Sequence, residues 1–209
     1  MLQLLIINRQ FVIGPRWLSP SLEALLLIPL SFATAWTQWS ARDAQTDEHW
    51  RQVAEYRRSV RRLALALTAL ISIANFASLV ALVGELVGGK ITVTGESLLF
   101  DAMNIWITNV IAFTLWFWNL DRGGPSLCHL GSAEVGDFLF PQMTRPEFFT
   151  NWTPGFMDYF YVSFTNATAF SPTDTMPLSV RAKMLMLLES AVSLMTLALV
   201  AARAVNILK

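Results

Sequence analysis

Long apolar segments alternate with shorter polar ones along the chain. A helix needs about 20 apolar residues to cross the ~30 Å hydrocarbon layer of a membrane, and three segments, 63–83, 98–120 and 184–202, have that length. A fourth segment, 22–39, is shorter and contains two interrupting residues, but we predict a span there as well. Lipid offers no partners to free backbone groups, so each span must be a helix. The pattern predicts an all-α integral membrane protein with about four transmembrane helices.

The same pattern divides the chain into four parts. Residues 1–21 are apolar only in patches and lack the basic start and cleavage site of a signal peptide. We interpret them as an interfacial segment, although a start codon further upstream would also explain them. We expect a three-helix membrane region over 22–120, a polar loop over 121–155 and a separate module over 156–209.

A basic segment connects the first two predicted spans. Residues 40–62 contain six arginines and four acidic residues, and four of the arginines are grouped at the end of the segment. One interpretation is a docking surface for anionic lipid. The other, which we favour, is a solvated helix whose basic end stops at the membrane.

Composition excludes several classes of protein. Apolar residues make up 54% of the chain and charged residues 14%, whereas a soluble protein has about 25% charged residues. Fifteen basic residues balance fifteen acidic ones, so no net charge would attract nucleic acid. The lone Cys128 excludes an internal disulfide, and its neighbour His129 gives no zinc-ligand spacing. We therefore expect a membrane protein that is not an enzyme and needs no cofactor or structural metal.

A short helix is predicted before the last span. Thr153 suits its N-cap, Pro154 its first position and Asp158 its first turn. The helix of about 14 residues is too short to span, and the prolines at 172 and 177 prevent its continuation. A short helix, an irregular polar stretch and a long helix together are typical of a re-entrant loop.

The C-terminal end of the short helix in such a loop would be a favourable site for a cation. The C-terminal end of a helix carries a partial negative charge of about half an elementary charge. Nearby carbonyls and hydroxyls could also replace part of the hydration shell of an ion. The hydroxyls in this stretch belong to Thr165, Thr168, Ser171 and Thr173.

Residues 158–206 resemble the pore module of tetrameric cation channels, the potassium-channel superfamily. The stretch from Thr168 keeps the threonine of that pattern, Asp174 and its spacing to Pro177. The resemblance implies a pore helix, a filter-like loop, an inner helix and a homotetramer that passes a monovalent cation, K⁺ or Na⁺. It assigns the ion pathway to Thr168, Ala169, Phe170, Ser171, Pro172, Thr173 and Asp174. The whole chain also resembles bacterial membrane proteins with a channel-like C-terminus, which implies the bacterial inner membrane.

The sequence departs from the family pattern in the filter. Ser171 and Thr173 stand where the family has glycines, and Pro172 stands where it has tyrosine. Glycine lets alternate residues adopt left-handed conformations, which cost Ser and Thr energy. We therefore expect a wider, hydrated pore with weak selectivity.

Two acidic residues of the module have alternative roles. Asp174 would either form an acidic ring at the pore mouth or cap the turn before Pro177. Glu189 lies about 12 Å into the last helix, where an ionisable group indicates function. It would face a cavity, support the filter from behind as a neutral acid, or pair with Thr165 or Asn166. We favour the supporting role.

Polar residues also occur in the other spans. We expect the side chains of Asn75, Asn104 and Asn109 to form hydrogen bonds between helices rather than to bind ions.

Charge predicts an inverted orientation. If the second and third spans both cross, ten basic residues lie on the side of the loop mouth and five on the other. Basic residues are concentrated in the cytoplasm, so the loop mouth would be cytoplasmic, opposite to potassium channels. The alternative is that one span does not cross.

Two other functions stay open. One is a non-conducting structural or regulatory membrane protein that keeps the pore architecture. The other is an ion-coupled transporter that uses the broken helix as an ion site.

Overall fold

A computed structural model describes residues 47–88, 95–121, 136–150, 152–168 and 174–207. The predicted interfacial segment 1–21, the span 22–39, Cys128, His129 and the filter-like residues 169–173 lie outside the described residues.

Four helices make up most of the described chain. Helix α1 is Asp47–Gly88, α2 is Gly95–Leu120, α3 is Phe156–Thr168 and α4 is Val180–Ile207. Three of these helices contain segments long and apolar enough to cross a membrane, namely Ser59–Gly84, Leu99–Leu120 and Val180–Ala202. The spans predicted over 63–83, 98–120 and 184–202 are therefore confirmed as membrane-compatible helices.

Helix α1 begins well before its apolar part. The basic segment predicted over 40–62 is, from Asp47 onwards, the first turns of the same unbroken helix. Near its apolar part, the side-chain Nε of Arg61 donates a hydrogen bond to the carbonyl oxygen of Asn119, at 3.0 Å. This contact places a basic side chain at the carbonyl end of α2, where the helix dipole favours a cation.

Helix α2 is the centre of the bundle and packs against the other three helices. Towards its start, Ala102 and Ile105 pack with Leu79 and Leu82 of α1, and the side chains Val192, Leu199 and Val200 of α4 cover this group. The interhelical role predicted for asparagine is confirmed at two positions. Asn75 donates to the carbonyl of Ile105 at 3.1 Å, and Asn109 donates to Ser193 Oγ at 3.0 Å. For Asn104 it stays a prediction.

Apolar side chains also cover the outside of the bundle. A soluble protein rarely exposes a large contiguous apolar surface, but here large apolar residues are exposed on all three long helices. They include Leu70, Ile73, Phe76 and Val80 of α1, Met103, Ile107 and Ile111 of α2, and Leu187, Leu188 and Leu194 of α4. The protein is therefore compatible with a lipid environment along its three long helices.

A small antiparallel ladder is the exception in an otherwise mostly helical fold. Strand β1 (Phe138–Leu139) pairs with β2 (Met176–Pro177), with Phe138 opposite Pro177 and Leu139 opposite Met176. A short 3₁₀ helix, Pro141–Thr144, follows β1. Two-residue strands leave no alternating pattern in a sequence, so hydrophobic periodicity could not reveal them. The ladder joins the chain before α3 to the chain after it.

Candidate functional site

Helix α3 begins with a local capping contact. The backbone N–H of Gly155 donates to Asp158 Oδ2 at 2.7 Å, so the acid of the first turn satisfies a donor that the helix leaves free. The helix starts at Phe156. The prediction that Thr153 is the N-cap and Pro154 the first helical residue is therefore wrong by two positions, because the carboxylate of Asp158 acts at Gly155.

Helix α3 lies along α2, from the C-terminal end of α2 towards its middle. At the start of α3, the rings of Phe156 and Trp118 are 5.4 Å apart, and near its end those of Phe164 and Trp106 are 5.6 Å apart. Trp106 precedes Trp118 by twelve residues, which is about 18 Å along a helix. Helix α3 thus ends beside the middle of α2.

After α3 the chain returns to the end of α2 from which α3 started. Strand β2 pairs with β1, and the backbone N–H of Leu178 donates to the carbonyl of Asp137 at 2.8 Å. Residue Asp137 is itself bonded through its N–H to Asp121, directly after the last residue of α2. The segment between Phe156 and Leu178 therefore begins and finishes at one end of α2.

A group of polar residues, here called the end clamp, fixes this end. It consists of Asp121, Asp137, Tyr159 and Arg181. Asp121 is 1% exposed, and its carboxylate accepts the N–H of Asp137 at 2.6 Å and the hydroxyl of Tyr159 at 2.6 Å. The carboxylate of Asp137 pairs with the guanidinium of Arg181 at 2.5 Å. The end clamp thus joins the end of α2 to the starts of α3 and α4.

Aromatic rings surround the end clamp. The Tyr159 ring lies 5.3 Å from Phe140 and 6.2 Å from Phe138, both in edge-on arrangements, and Phe138 lies 5.1 Å from Phe117. Such edge-to-face pairs add to the energy of apolar burial. They also exclude water from the bond between Tyr159 and Asp121.

Sequence reasoning missed the end clamp. The sequence predicted only that residue 121 begins the polar loop over 121–155. An acid at the C-terminal end of a helix opposes the helix dipole, and that mismatch was the signal that Asp121 has a specific partner.

A second polar group, here called the midspan cluster, lies where α3 ends. It consists of Asn109, Ser163, Asn166, Glu189 and Ser193. Glu189 is 0% exposed, Ser163 is in hydrogen-bond contact with its Oε1, and Asn166 Nδ2 donates to its Oε2 at 2.7 Å. Ser163 is also 2.7 Å from the carbonyl oxygen of Val110.

Further bonds of the midspan cluster reach the backbone of α4. Asn109 Nδ2 lies 3.2 Å from the carbonyl oxygen of Glu189 and 3.0 Å from Ser193 Oγ. Asn166 Nδ2 also donates to the carbonyl of Met186 at 2.9 Å. The cluster therefore holds α2, α3 and α4 together at one depth.

The structure decides between the two partners predicted for Glu189 on the short helix. It pairs with Asn166, one of the alternatives considered for Glu189, while the favoured role behind the filter stays a prediction. The pairing with Thr165 is wrong, because the hydroxyl of Thr165 is bonded within its own helix to Tyr161 O at 2.7 Å and Val162 O at 3.1 Å. Ser163, which sequence reasoning missed, contacts Glu189 instead. A helical serine has no sequence signal that distinguishes it from a solvent-facing one.

Of the filter-like residues, the structure describes the two at the ends. Thr168 is the last residue of α3, and its hydroxyl lies 3.0 Å from Phe164 O and 3.1 Å from Thr165 O. Asp174 is exposed, and the next residue, Thr175, is buried. Both roles considered for Asp174 stay predictions.

Comparison with known proteins gives no relative, since no protein-family model, curated protein or solved structure matches the chain. The described residues also include no group of three or more His, Cys, Asp or Glu side chains that could hold a metal ion. A proposal of function must therefore rest on the geometry of α3 and on the sequence.

Proposed function

We propose that this protein is a cation-permeable channel built from four copies, in which residues 156–178 form a re-entrant pore loop. The observation that carries the proposal is the path of this segment. It begins at the Leu120 end of α2, reaches the middle of α2 at Ser163, and is back at the same end by Leu178.

The depth of α3 supports the proposal. The membrane-compatible part of α2 is Leu99–Leu120, and Val110, which Ser163 contacts, lies halfway along it. If this part spans the ~30 Å hydrocarbon layer, Ser163 lies near the midplane, and α3 ends five residues later at Thr168, still within the layer. Helix ends at that depth are tolerated only where protein covers them or where they line water. The carbonyl end of a helix favours a cation there.

The outward face of α3 supports an assembly of several copies. Met157 is 68% exposed and Tyr161 54%, and one protomer contributes only one wall of a pore. Closed rotational symmetry would bring four such walls around one axis. The pore would then be lined by the loop and by α4.

Weak selectivity and the permeant ion are inferred from the sequence alone. Ser171, Pro172 and Thr173 replace the filter glycines and tyrosine of the family that the module resembles. We propose that K⁺ and Na⁺ both pass, partly hydrated, and that Asp174 concentrates them at the mouth. We place the protein in the bacterial inner membrane with this mouth towards the cytoplasm.

Flux through reconstituted protein tests the proposal. Purified protein in liposomes of phosphatidylethanolamine and phosphatidylglycerol should pass K⁺ and Na⁺ at rates within about tenfold of each other, since a hydrated pore discriminates weakly. Asp174→Asn should lower cation flux several-fold. The matched control is Glu147→Gln, which removes another exposed carboxylate close to the module and should leave flux unchanged.

Two outcomes would contradict the proposal. Flux equal to that of protein-free liposomes would remove conduction and favour the non-conducting alternative. A monomer by crosslinking would remove the four-copy pore and favour the transporter alternative.

A further inference from the structure

The hydroxyl of Ser163 lies between two oxygen atoms. It is 2.7 Å from the carbonyl oxygen of Val110 and in close contact with Glu189 Oε1. A serine hydroxyl has one hydrogen to donate. The carbonyl of Val110, which also accepts the hydroxyl of Thr114 at 2.7 Å, has none to give.

The two contacts of the Ser163 hydroxyl need two hydrogens, and the count of available hydrogens shows which group supplies the second. If Glu189 were a carboxylate, Ser163 could satisfy only one of its two neighbours, and the other pair of oxygens would meet with no hydrogen between them. If Glu189 carries a proton, each contact has a donor. Glu189 then donates to Ser163, and Ser163 donates to Val110.

The remaining bonds agree with this arrangement. Asn166 has two amide hydrogens, and its Nδ2 has two acceptors, Met186 O and Glu189 Oε2. The other carboxyl oxygen is therefore free to carry the proton towards Ser163. With the proton on Oε1, every donor and acceptor around the carboxyl of Glu189 is matched.

Among the described residues, no positive charge is hydrogen-bonded or paired to Glu189 to stabilise a carboxylate. The described side chains in contact with it, Ser163 and Asn166, are neutral, and so are Asn109 and Ser193 beyond them. Leu99–Leu120 of α2 and all of α3 contain no Lys or Arg. On α4, Lys183 and Arg181 precede Glu189 by six and eight residues, about 9 and 12 Å along the axis. A buried, unpaired carboxylate is strongly unfavourable.

We infer that Glu189 is a neutral, proton-donating positioning residue that links α4 through Ser163 to the backbone of α2, and that it is not a cation ligand. It holds the C-terminal end of α3 at a fixed depth. The inference deepens the proposed function, since the position of α3 sets the geometry of the pore loop, but its spectroscopic test below does not depend on conduction.

Replacing Glu189 by its amide, glutamine, distinguishes a neutral hydrogen-bonding role from a role that requires charge. In Glu189→Gln the side-chain NH₂ can donate to Ser163 while the amide oxygen accepts from Asn166, so the bonds are retained. We expect wild-type thermal unfolding and cation flux within about twofold of wild type. Glu189→Leu has a similar size and neither bond, and should lower flux at least tenfold. If the wild type passes cations and a well-folded Glu189→Gln protein passes none, the inference is overturned, because charge would then be required.

Infrared spectroscopy gives a readout that a merely structural role would not produce. The spectrum of wild type minus that of Glu189→Gln, measured at pH 7 in liposomes, should contain the carbonyl band of a protonated carboxylic acid. Glu147→Gln is the control, and its difference spectrum should contain carboxylate bands. Carboxylate bands in the Glu189 difference spectrum would overturn the inference. A protonated-acid band in protein that shows no flux would sustain the inference and contradict the channel.

Discussion

At its start α3 is held by charged groups and aromatic rings, whereas at its other end the carboxyl of Glu189 is surrounded by amides, hydroxyls and backbone carbonyls. In the end clamp, Asp121 accepts backbone N–H groups and the Tyr159 hydroxyl, and Asp137 pairs with an Arg181 side chain that is 55% exposed. In the midspan cluster, the described contacts of Glu189 are with neutral side chains.

The difference follows from the distance to water. Arg181 lies at the start of α4, where its side chain reaches solvent, and the ion pair with Asp137 keeps part of its hydration. Glu189 lies about 12 Å further along the same helix and is fully buried. An acid near the end of a span can therefore be held by charge, while an acid at midspan requires hydrogen-bond partners that match it atom for atom.

The largest loss of unfolding free energy should come from removing the carboxyl group of Glu189 from the midspan cluster. Glu189→Leu leaves Ser163 and Asn166 each short of a partner, and a buried group without its partner costs about 1–3 kcal/mol. We expect the free energy of unfolding in detergent to fall by about 2–5 kcal/mol, measured by denaturant titration. Glu189→Gln is the matched control and should change it by less than about 1 kcal/mol. Equal losses in the two variants would mean that the bonds do not explain the stability.

Replacing the acid by its amide should destabilise the protein in the end clamp, although the same replacement in the midspan cluster should be tolerated. Both oxygens of Asp121 accept hydrogen bonds, from N–H groups on one side and from Tyr159 on the other. Asp121→Asn replaces one acceptor oxygen by an NH₂ group. This group either faces the backbone N–H donors or removes the acceptor of the Tyr159 hydroxyl hydrogen, and either should cost about 1–3 kcal/mol. The measurement is the same denaturant titration, beside Glu189→Gln. Equal losses of unfolding free energy in Asp121→Asn and Glu189→Gln would contradict the proposed difference, in which Asp121 only accepts hydrogen bonds and Glu189 carries a proton.

The sequence predicted those parts of the fold that single segments determine. The three spans follow from length and hydropathy, because lipid selects for long apolar helices. The short α3 follows from Pro154 and Pro172 at its two ends, although the capping by Asp158 moved its start. The interhelical bonds of Asn75 and Asn109 follow from the need of buried polar groups for partners.

The parts that were missed depend on partners far apart in the chain. Tyr159 is 38 residues from Asp121, and Ser163 is 26 residues from Glu189. One sequence gives no rotation of one helix relative to another, so neither pair could be read from periodicity. Glu189 was recognised because a buried acid in a span is unusual, while Ser163 is an ordinary residue of a helix.

The smallest loss of unfolding free energy should come from breaking the solvent-exposed ion pair of the end clamp. Arg181→Gln removes an ion pair whose guanidinium is 55% exposed, and exposed pairs contribute about 0–1 kcal/mol. We expect a loss of unfolding free energy of at most about 1 kcal/mol that shrinks further in 1 M NaCl, where the screening length is about 3 Å. Lys183→Gln, two residues along the same helix and also exposed, is the matched control and should show a smaller change. A loss as large as that of Glu189→Leu, unaffected by salt, would mean that Asp137 and Arg181 are held as a buried pair, and the two ends of α3 would then not differ in their access to water.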